Sequence, residues 1–385
     1  MQPDDLFGVY VHWPFCKAKC PYCDFNSHVS NSIDHELWAQ SYLKEIDYIA
    51  DMTKGRQVTS VFFGGGTPSL MKPATVEKIL NHINKVWRVS PKVEITLEAN
   101  PTSIEAQKFS DFKAAGVNRV SVGVQSLRDQ DLKFLGREHS AQEALEAIKI
   151  ADCIFDRMSF DLIYARPEQK ISDWKEELSE ALQYTKGHLS LYQLTIEQGT
   201  PFYTMAARGE FRIPEQDQAG EFYEVTQEIL DASDMPAYEI SNHASKGQES
   251  LHNLTYWKYG DYAGIGPGAH GRLTLDQKKF ATRTHRAPDI WLKKINEDGN
   301  GYHPFEEVAS EERLTEMMMM GLRLNTGVEL AQIERETQQD WRMALRQDKV
   351  QNLVDEGLLI LTKTHIKPTS EGMQRLNGVL SYLLV

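Results

Sequence analysis

The 385-residue sequence contains no run of about 18 apolar residues, which a membrane-spanning helix would need. It contains no internal repeat and no low-complexity segment. Residues 1–5 show no basic region followed by an apolar stretch, so we expect no signal peptide. These absences leave a chain long enough to bury a large core and to form one large domain with a smaller one.

Positive charge is scarce. The sequence has 42 Lys and Arg residues against 55 Asp and Glu residues, a net charge of −13. Nucleic acids and anionic membrane surfaces require clustered positive charge, so neither is an expected partner. The balance says little about small ligands, and it leaves peripheral association with a membrane open.

Cysteine is also scarce, and three of the four residues lie close together, at Cys16, Cys20 and Cys23. Pro21 cannot lie inside a helix without breaking a hydrogen bond, so the segment is predicted to be a tight loop with converging sulfurs. Three thiolates suit an iron–sulfur cluster that leaves one iron open, or a zinc ion completed by a nearby histidine.

The cysteine pattern indicates metal chemistry rather than a disulfide framework. Thiolates of this kind persist in a reducing compartment, and we expect the protein to be cytoplasmic. Cys153 stands alone in an apolar segment and is predicted to be a small buried side chain.

Six short apolar segments alternate with segments of helical periodicity. The predicted strands are Phe7–His12, Val58–Phe63, Val93–Ala99, Arg119–Gln125, Met158–Tyr164 and His188–Ile196. The alternation predicts right-handed βαβ units and a parallel sheet. Periodicity does not separate a doubly wound sheet from an open barrel. In both architectures ligands bind at the carboxyl ends of the strands.

Beyond about residue 200 the alternation fades into a mixed region, and helical patterns dominate from about residue 305. Helices beside a predicted hairpin over 358–368 resemble a winged helix, but residues 301–385 carry 9 basic and 13 acidic residues, the wrong sign for DNA. The run Met317–Met320 is interpreted as core filling. We predict a core domain over 1–200, an extension over 201–300 and a mostly helical accessory domain over 301–385.

Several polar residues fall near the predicted strand ends. Gly64–Pro68 follows the second strand and exposes backbone groups that a ligand can approach closely. Glu98, Gln125 and Asp161 lie in otherwise apolar strands, where carboxylates seldom remain unpartnered, and Arg137 follows the fourth strand. Each feature alone has a plain alternative: a tight turn, an edge-strand acid, a salt bridge or a surface arginine.

Taken together, the C-x3-C-x2-C spacing, the aromatic before the last cysteine and the order of these residues resemble the radical S-adenosylmethionine (SAM) superfamily. The stretch from Tyr10 to Ser27 is similar to its oxygen-independent coproporphyrinogen III oxidase branch. The resemblance implies an α/β fold, a partial (β/α)6 TIM barrel, with a [4Fe-4S] cluster on Cys16, Cys20 and Cys23 and SAM on the open iron. The SAM contacts that it implies are Tyr10, Gly65, Gly66, Thr67, Glu98, Gln125, Arg137 and Asp161.

A second resemblance lies further along the chain. His252-Asn253-Leu254-Thr255-Tyr256-Trp257 resembles the HNxxYW motif of heme-binding members of this branch, which implies that His252 is a heme ligand. Imidazole is a common axial ligand of heme iron, and the aromatic neighbours could pack on a porphyrin. From the residues alone, a structural histidine beside aromatic core residues is the alternative. Gly264–His270 resembles a glycine-rich element of the same family.

Two departures separate the chain from the decarboxylating oxidases. Phe25 stands where those enzymes carry a further cysteine, and their longer N-terminal segment does not precede Cys16. The resemblance therefore favours a heme chaperone that binds a [4Fe-4S] cluster, SAM and heme. Its implied partners are heme-accepting apoproteins and a low-potential electron donor of the flavodoxin or ferredoxin type.

Two other interpretations remain at this point, and whether the protein is an enzyme is left open. One is an oxygen-independent coproporphyrinogen III oxidase, which decarboxylates porphyrinogen propionates oxidatively by means of a 5′-deoxyadenosyl radical. The other is a zinc-stabilised scaffold without redox chemistry.

Overall fold

A computed structural model describes residues 6–30 and 32–384. The prediction about a signal peptide concerns residues 1–5 and lies outside the described residues. The strands are β1 (Phe7–Trp13), β2 (Phe15–Cys16), β3 (His28–Val29), β4 (Gln57–Gly65), β5 (Arg88–Ala99), β6 (Arg119–Gln125), β7 (Arg157–Tyr164), β8 (His188–Gln193), β9 (Asn242–Ala244), β10 (Asp261–Ile265), β11 (His270–Leu275), β12 (Lys278–Arg283), β13 (Glu306–Glu307), β14 (Val328–Glu329), β15 (Leu359–Leu361) and β16 (His365–Pro368).

Eleven of these strands form one mixed sheet in the order β13-β12-β11-β10-β1-β4-β5-β6-β7-β8-β9. The central run from β10 to β8 is parallel throughout, whereas β9 and β11 to β13 pair antiparallel at its two sides. The predicted parallel α/β architecture is therefore confirmed. Because the strands of the run point the same way, their carboxyl ends meet at one edge.

The helices cover the sheet and build the C-terminal region. They are α1 (His35–Met52), α2 (Pro73–Val86), α3 (Ser103–Ala106), α4 (Phe109–Ala114), α5 (Asp129–Phe134), α6 (Ala141–Ile154), α7 (Ile171–Ala181), α8 (Pro201–Ala207), α9 (Gln216–Asp231), α10 (Leu251–Trp257), α11 (Pro288–Asp298), α12 (Ser310–Gly321), α13 (Leu330–Thr337), α14 (Trp341–Ala344), α15 (Gln347–Asp355), α16 (Ser370–Gln374) and α17 (Leu376–Leu384).

Local sequence explains where several elements begin and why they are buried. Asp34 caps α1 by accepting from the backbone N–H groups of Glu36 and Leu37, and Ser140 forms a capping box with Glu143 at α6. In β1 only Tyr10 is not fully buried. A strand covered on both faces in this way reads as a continuous apolar run, which is why it could be recognised in the sequence.

The sheet extends well beyond residue 200. Strands β9 to β13 all join it, and β10 pairs in parallel with β1, with Tyr10 opposite Gly264. The sequence analysis predicted no strand here. The short segment Asp261–Ile265 has no alternation that would mark it, and its position beside β1 depends on a partner about 250 residues away in the chain.

The C-terminal region has a hydrophobic core of its own, in which Met317 and Met318 are buried with Leu322 and Ile333. Strands β14, β16 and β15 form a small antiparallel sheet beside it, and the predicted hairpin is present. The interpretation of the methionine run is correct for these two residues only. Met319 and Met320 line a cavity against the main sheet.

The prediction that the Cys153 side chain is buried is wrong, because it is exposed. The buried side chains of α6 are Ala144, Ala147, Ile148 and Ala151, and position 153 falls off that stripe. Across the described residues, none of the helices combines the length and the apolar character that a membrane crossing demands.

Candidate functional site

The cysteine loop leaves β1 at the carboxyl edge of the sheet and is fixed on both sides. Strand β2 pairs with β3, and the His28 N–H donates to the Pro14 carbonyl at 2.7 Å. The Pro21 carbonyl accepts from the Phe202 N–H at 3.0 Å, and the ring centroids of Tyr22 and Phe202 are 6.3 Å apart. The loop is thus held by the chain that follows it and by α8.

The three cysteines lie in different local environments. Cys16 is buried, whereas Cys20 and Cys23 are half-buried. The hydroxyl of Thr67 donates to Cys16 Sγ at 3.5 Å, and Nη1 of Arg137 donates to Cys20 Sγ at 3.3 Å. Burial raises the pKa of the Cys16 and Cys23 thiols, so these groups hold their protons until a metal displaces them.

The glycines after β4 lie against the start of the cysteine loop. A methyl group on Gly65 would lie 2.6 Å from a carbon of the His12 ring, and one on Gly66 would lie 2.6 Å from the Phe15 carbonyl oxygen. Gly65 also has a φ of +112° and donates its N–H to Glu98 Oε2 at 3.2 Å. Both glycines therefore permit close packing, and Gly65 also fixes a carboxylate.

Two carboxylates lie in parallel strands of the barrel, Glu98 in β5 and Asp161 in β7. Burial and the charge of Asp161 raise the pKa of Glu98 to about 8, although the hydrogen bond from Gly65 opposes this shift. Burial also raises the pKa of Asp161 to about 6, against the opposing effect of Arg119. The barrel therefore holds two acids that a bound cation would ionise.

Arg137 joins the cysteine loop to the ends of two strands. Its Nη2 donates to Asn100 Oδ1 at 2.7 Å after β5 and to the Gly123 carbonyl at 2.8 Å in β6. Gln125, at the end of β6, has a φ of +73° beside an irregularity in the pairing of β6 with β7. Such a backbone conformation is unfavourable for glutamine and interrupts the regular strand at this position.

Tyr10 and His12 connect β1 to the cysteine loop. The Tyr10 hydroxyl lies 3.0 Å from His12 Nδ1, and His12 Nε2 lies 2.9 Å from the Asn26 carbonyl. Burial lowers the pKa of His12 to about 4, so its ring is neutral near pH 7. With one proton available, His12 donates to Asn26 and accepts from Tyr10, which holds the Tyr10 hydroxyl in place.

His252 lies on the first turn of α10 and is 1% exposed. Its Nδ1 is 2.8 Å from the Ser60 hydroxyl, and its Nε2 is 2.7 Å from the Tyr256 hydroxyl. Glu94 fixes the helix by accepting from the His252 backbone N–H at 3.0 Å, and it pairs with Arg157 at 2.8 Å. Burial lowers the pKa of His252 to about 3. Both ring nitrogens are occupied in this arrangement.

A cavity of about 860 Å³ opens between the cysteine loop, the sheet and the C-terminal region. Its volume lies within the range of sites for cofactors and other small molecules. Its aromatic and sulfur-containing wall consists of Tyr10, Phe25, Tyr256, Trp257, Tyr259, Tyr262, Met319 and Met320. Its polar side chains are His12, Asn26, Glu98, His270, Arg272, Arg286 and Glu316.

The predicted site residues fall into groups according to whether they line the cavity, contact the cysteine sulfurs or lie behind the cavity wall. Tyr10, Gly65 and Glu98 line the cavity. Thr67 and Arg137 contact the sulfurs of cluster cysteines, and His252 lies behind Tyr256. The individual roles toward SAM and heme remain predictions.

Sequence reasoning missed several residues that organise the site. Asn26 bridges two distant loops, Asn100 holds Arg137, and Glu94 holds α10. Glu94 carried the same signal as Asp161, a charge within a run of strand residues. Nothing local marks Asn26, because its partners lie more than 200 residues away in the chain.

The fold and the cysteine loop define a radical SAM protein, and the family comparisons agree. Residues 10–181 match the radical SAM superfamily, and residues 308–375 match the HemN C-terminal domain. Coproporphyrinogen III oxidase (HemN) from Escherichia coli has a similar fold, with a TM-score of 0.81 at 19% identity over 99% of this chain and 90% of that one.

Three curated relatives narrow the assignment from the radical SAM superfamily to one family within it. Heme chaperone HemW of Escherichia coli is 39% identical over 72% of this chain and 73% of its own, and that of Buchnera aphidicola (subsp. Schizaphis graminum) is 33% identical over 98% of both. The mitochondrial radical S-adenosyl methionine domain-containing protein 1 of Mus musculus is 38% identical over 98% of this chain and 87% of its own. The chain belongs to the HemW family of radical SAM proteins.

The cysteine loop fits the cluster that this superfamily carries. Three thiols on one short loop, two with polar donors at their sulfurs, supply the soft donor set that an iron–sulfur cluster requires. Within residues 6–30 and 32–384 no three His, Cys, Asp or Glu side chains, the three cysteines included, are grouped to hold a single metal ion, and this applies to zinc and to the cluster alike.

Proposed function

We propose that this protein is a heme chaperone, which binds heme as cargo beside its radical SAM centre and transfers it to acceptor apoproteins. The observation that carries the proposal is the cavity of about 860 Å³ that begins at Tyr10 and Glu98 and ends at the C-terminal helix α12. The names of the HemW relatives, which span most of the chain, support the same function.

The chemistry of the cavity suits a porphyrin. Aromatic and methionine side chains can pack on the flat faces of the macrocycle, and arginines can pair with its carboxylates. Trp257 supplies a further polar group, because its Nε1 is buried without a hydrogen-bond partner among the described residues. A ligand carboxylate or carbonyl at this position would satisfy that donor.

The residues around the cysteine loop would hold the cluster and SAM. When bound, the cluster supplies low-potential electron transfer and SAM supplies a reactive sulfonium. Cys16, Cys20 and Cys23 would bind the iron, and Thr67 and Arg137 would donate to the sulfurs. Glu98 would pair with the amino group of SAM in the cavity, while Tyr10, Gly65, Gly66, Gln125 and Asp161 would complete its surroundings.

The contacts of His252 argue against the direct heme coordination that its motif implies. Direct coordination of iron would require the loss of its hydrogen bond to Tyr256 and movement of a side chain that is 1% exposed. We therefore assign His252 a supporting role toward heme. It fixes the Tyr256 hydroxyl, and Tyr256 lines the cavity.

Hemin titration of the anaerobically reconstituted protein tests the proposal. We expect stoichiometric binding, followed by transfer of heme to apomyoglobin as a generic acceptor. The Soret bands of the two proteins report the transfer. A protein with a full cluster that takes up no hemin, or that never releases it, would remove the chaperone function.

Coproporphyrinogen III oxidase activity is the second candidate, favoured by Glu98 in the cavity wall and Arg137 at Cys20 Sγ, two positions that the family resemblance assigns to SAM. An anaerobic assay with SAM, a reductant and coproporphyrinogen III separates the two functions, and our proposal expects no protoporphyrinogen. The acceptor apoproteins and a low-potential donor of the flavodoxin or ferredoxin type belong to the proposal. A cytoplasmic location also belongs to the proposal, although the name of the Mus musculus relative places that protein in mitochondria.

A further inference from the structure

His270 is the first residue of β11 and immediately follows the glycine-rich loop. Its side chain is exposed and lines the cavity together with Tyr10, Gly65 and Glu98. Throughout the described part of the chain, no side-chain or backbone group lies within hydrogen-bonding distance of its ring. The imidazole is therefore available to a ligand in the cavity without the loss of any internal contact.

His12 in the cavity wall and His252 in the motif are both committed to internal hydrogen bonds. His12 has partners at both ring nitrogens, the Tyr10 hydroxyl and the Asn26 carbonyl. His252 likewise has two partners and lies behind the wall. Imidazole binds iron through a free, unprotonated nitrogen, so His270 is the histidine of the cavity wall that can coordinate a metal as it stands.

The segment that presents His270 is fixed by hydrogen bonds to Asn26 and to Glu45. Asn26 Nδ2 donates to the Pro267 carbonyl and to the Arg286 carbonyl, both at 3.0 Å. The buried carboxylate of Glu45 accepts from the Gly266 N–H at 2.6 Å. A ligand that is held by such a rigid segment keeps its orientation when the iron arrives.

The charges around His270 favour its coordinating form. Partial burial and the guanidinium groups of Arg272, Arg283 and Arg286 lower its pKa, which keeps the ring neutral at pH 7. Arg272 is paired with Glu316 and Arg283 with Glu306. Over residues 6–30 and 32–384, no carboxylate lies within ion-pair distance of Arg286, which also lines the cavity. Its guanidinium is free to pair with a ligand carboxylate.

We propose that His270 coordinates the iron of heme in this cavity and that Arg286 pairs with a heme propionate. This inference rests on the proposed function, since it specifies how the cargo is held. It replaces the motif histidine, His252, by a histidine eighteen positions further along the chain. His252 then becomes a positioning residue that acts through Tyr256.

Ligand substitution tests the iron contact directly. The cluster-loaded full-length protein and its H270A, H270C and H252A variants are titrated with hemin without oxygen, with H365A as a control in the small C-terminal sheet. Optical difference spectra and the ferric heme EPR signal report the type of iron ligand. Iron and sulfide content checks that each variant carries its cluster.

We expect His270→Ala to lose the histidine-type spectrum and to bind hemin at least about tenfold more weakly. His270→Cys should give a thiolate-type spectrum, a change that a merely structural residue would not produce. His252→Ala and His365→Ala should keep the wild-type spectrum. A wild-type spectrum in both His270 variants would overturn the inference, and its loss in His252→Ala would assign the iron to His252 and leave the proposed function standing.

Two further results complete the test. Arg286→Gln should weaken hemin binding severalfold without changing the ligand spectrum, whereas Arg283→Gln, which removes an arginine already paired with Glu306, should not. The difference should vanish with hemin dimethyl ester, which lacks the carboxylates. An equal effect with the ester would overturn the role of Arg286. A wild-type protein that binds no hemin would reject the proposed function and this inference together.

Discussion

Arg137 Nη1 lies 3.3 Å from Sγ of Cys20, so a guanidinium from the loop after α5 directly contacts a predicted cluster ligand. The same side chain is anchored by Asn100 and Gly123. A fixed positive charge beside a thiolate stabilises the extra electron of a reduced cluster, because hydrogen bonds and charge near the sulfurs set its potential. We therefore predict that Arg137 tunes the potential of a cluster bound at Cys20, whether or not it also contacts SAM.

Removal of this charge should make the cluster harder to reduce. We expect Arg137→Gln to lower its reduction potential by on the order of 60 mV, which is a tenfold change for a one-electron couple. An anaerobic redox titration followed by EPR measures it. Arg128→Gln removes an arginine at the opposite end of α5, where Arg128 is paired with Glu180 at 2.6 Å, and this variant serves as the control. Equal potentials in the two variants would contradict the assignment.

Binding of SAM should depend on pH through Glu98. Its pKa is raised to about 8, so the carboxyl is largely protonated at pH 6 and must lose a proton to pair with a cation. The affinity for SAM should therefore rise as pH increases from 6 through 8 and level off only above the pKa of Glu98. Glu98→Gln should flatten this rise and weaken binding most at pH 8. Isothermal titration of the reconstituted protein measures both, and identical pH profiles would exclude Glu98.

His252→Ala should lower both stability and hemin affinity. The substitution leaves the buried hydroxyls of Ser60 and Tyr256 without their partner and opens a cavity, so unfolding free energy should fall by about 2–4 kcal/mol. Hemin should bind more weakly because Tyr256 is no longer fixed, while cluster content stays normal. Denaturant unfolding and hemin titration report the two effects, with Tyr256→Phe as the matched variant. Unchanged hemin affinity in both would separate this helix from the heme site.

A substitution at Gly66 tests the packing of the glycine loop against the cysteine loop. A methyl group there would meet the Phe15 carbonyl oxygen at 2.6 Å, and backbone cannot move aside easily. We expect Gly66→Ala to cost about 2 kcal/mol or more of stability and to reduce cluster incorporation. Gly220→Ala, in α9 with no atom within 4 Å, should instead stabilise by about 0.5–1 kcal/mol. Similar effects of the two substitutions would refute the packing argument.

The main fold could be predicted because its signals are local. Strands such as β1 and β7 are buried on both faces, and the glycine at 116, with a φ of +108°, ends α4. Strand β10 could not be predicted in this way, since it pairs with β1, a strand about 250 residues away in the chain. The prediction that Cys153 is buried was wrong for a simpler reason: position 153 lies outside the buried stripe of α6.

In the candidate site, too, local features could be predicted from the sequence, whereas contacts between distant residues could not. Cys16, Cys20 and Cys23 form a pattern within eight residues, which sequence alone reveals. The commitment of His252 to Ser60 and Tyr256 does not appear in its motif, because Ser60 comes from β4, 192 residues earlier. The free ring of His270 is equally invisible in sequence, since a missing partner is a property of the fold.

The central claim is that one chain carries both an open-iron cluster and a heme cavity without processing the porphyrin. Its most direct test is an anaerobic purification in which iron, sulfide and heme are quantified in the same sample, followed by addition of SAM, reductant and coproporphyrinogen III. The account predicts four cluster irons with matching sulfide, one heme after hemin loading, and no protoporphyrinogen. A cluster-loaded protein that excludes hemin and decarboxylates coproporphyrinogen III would contradict it.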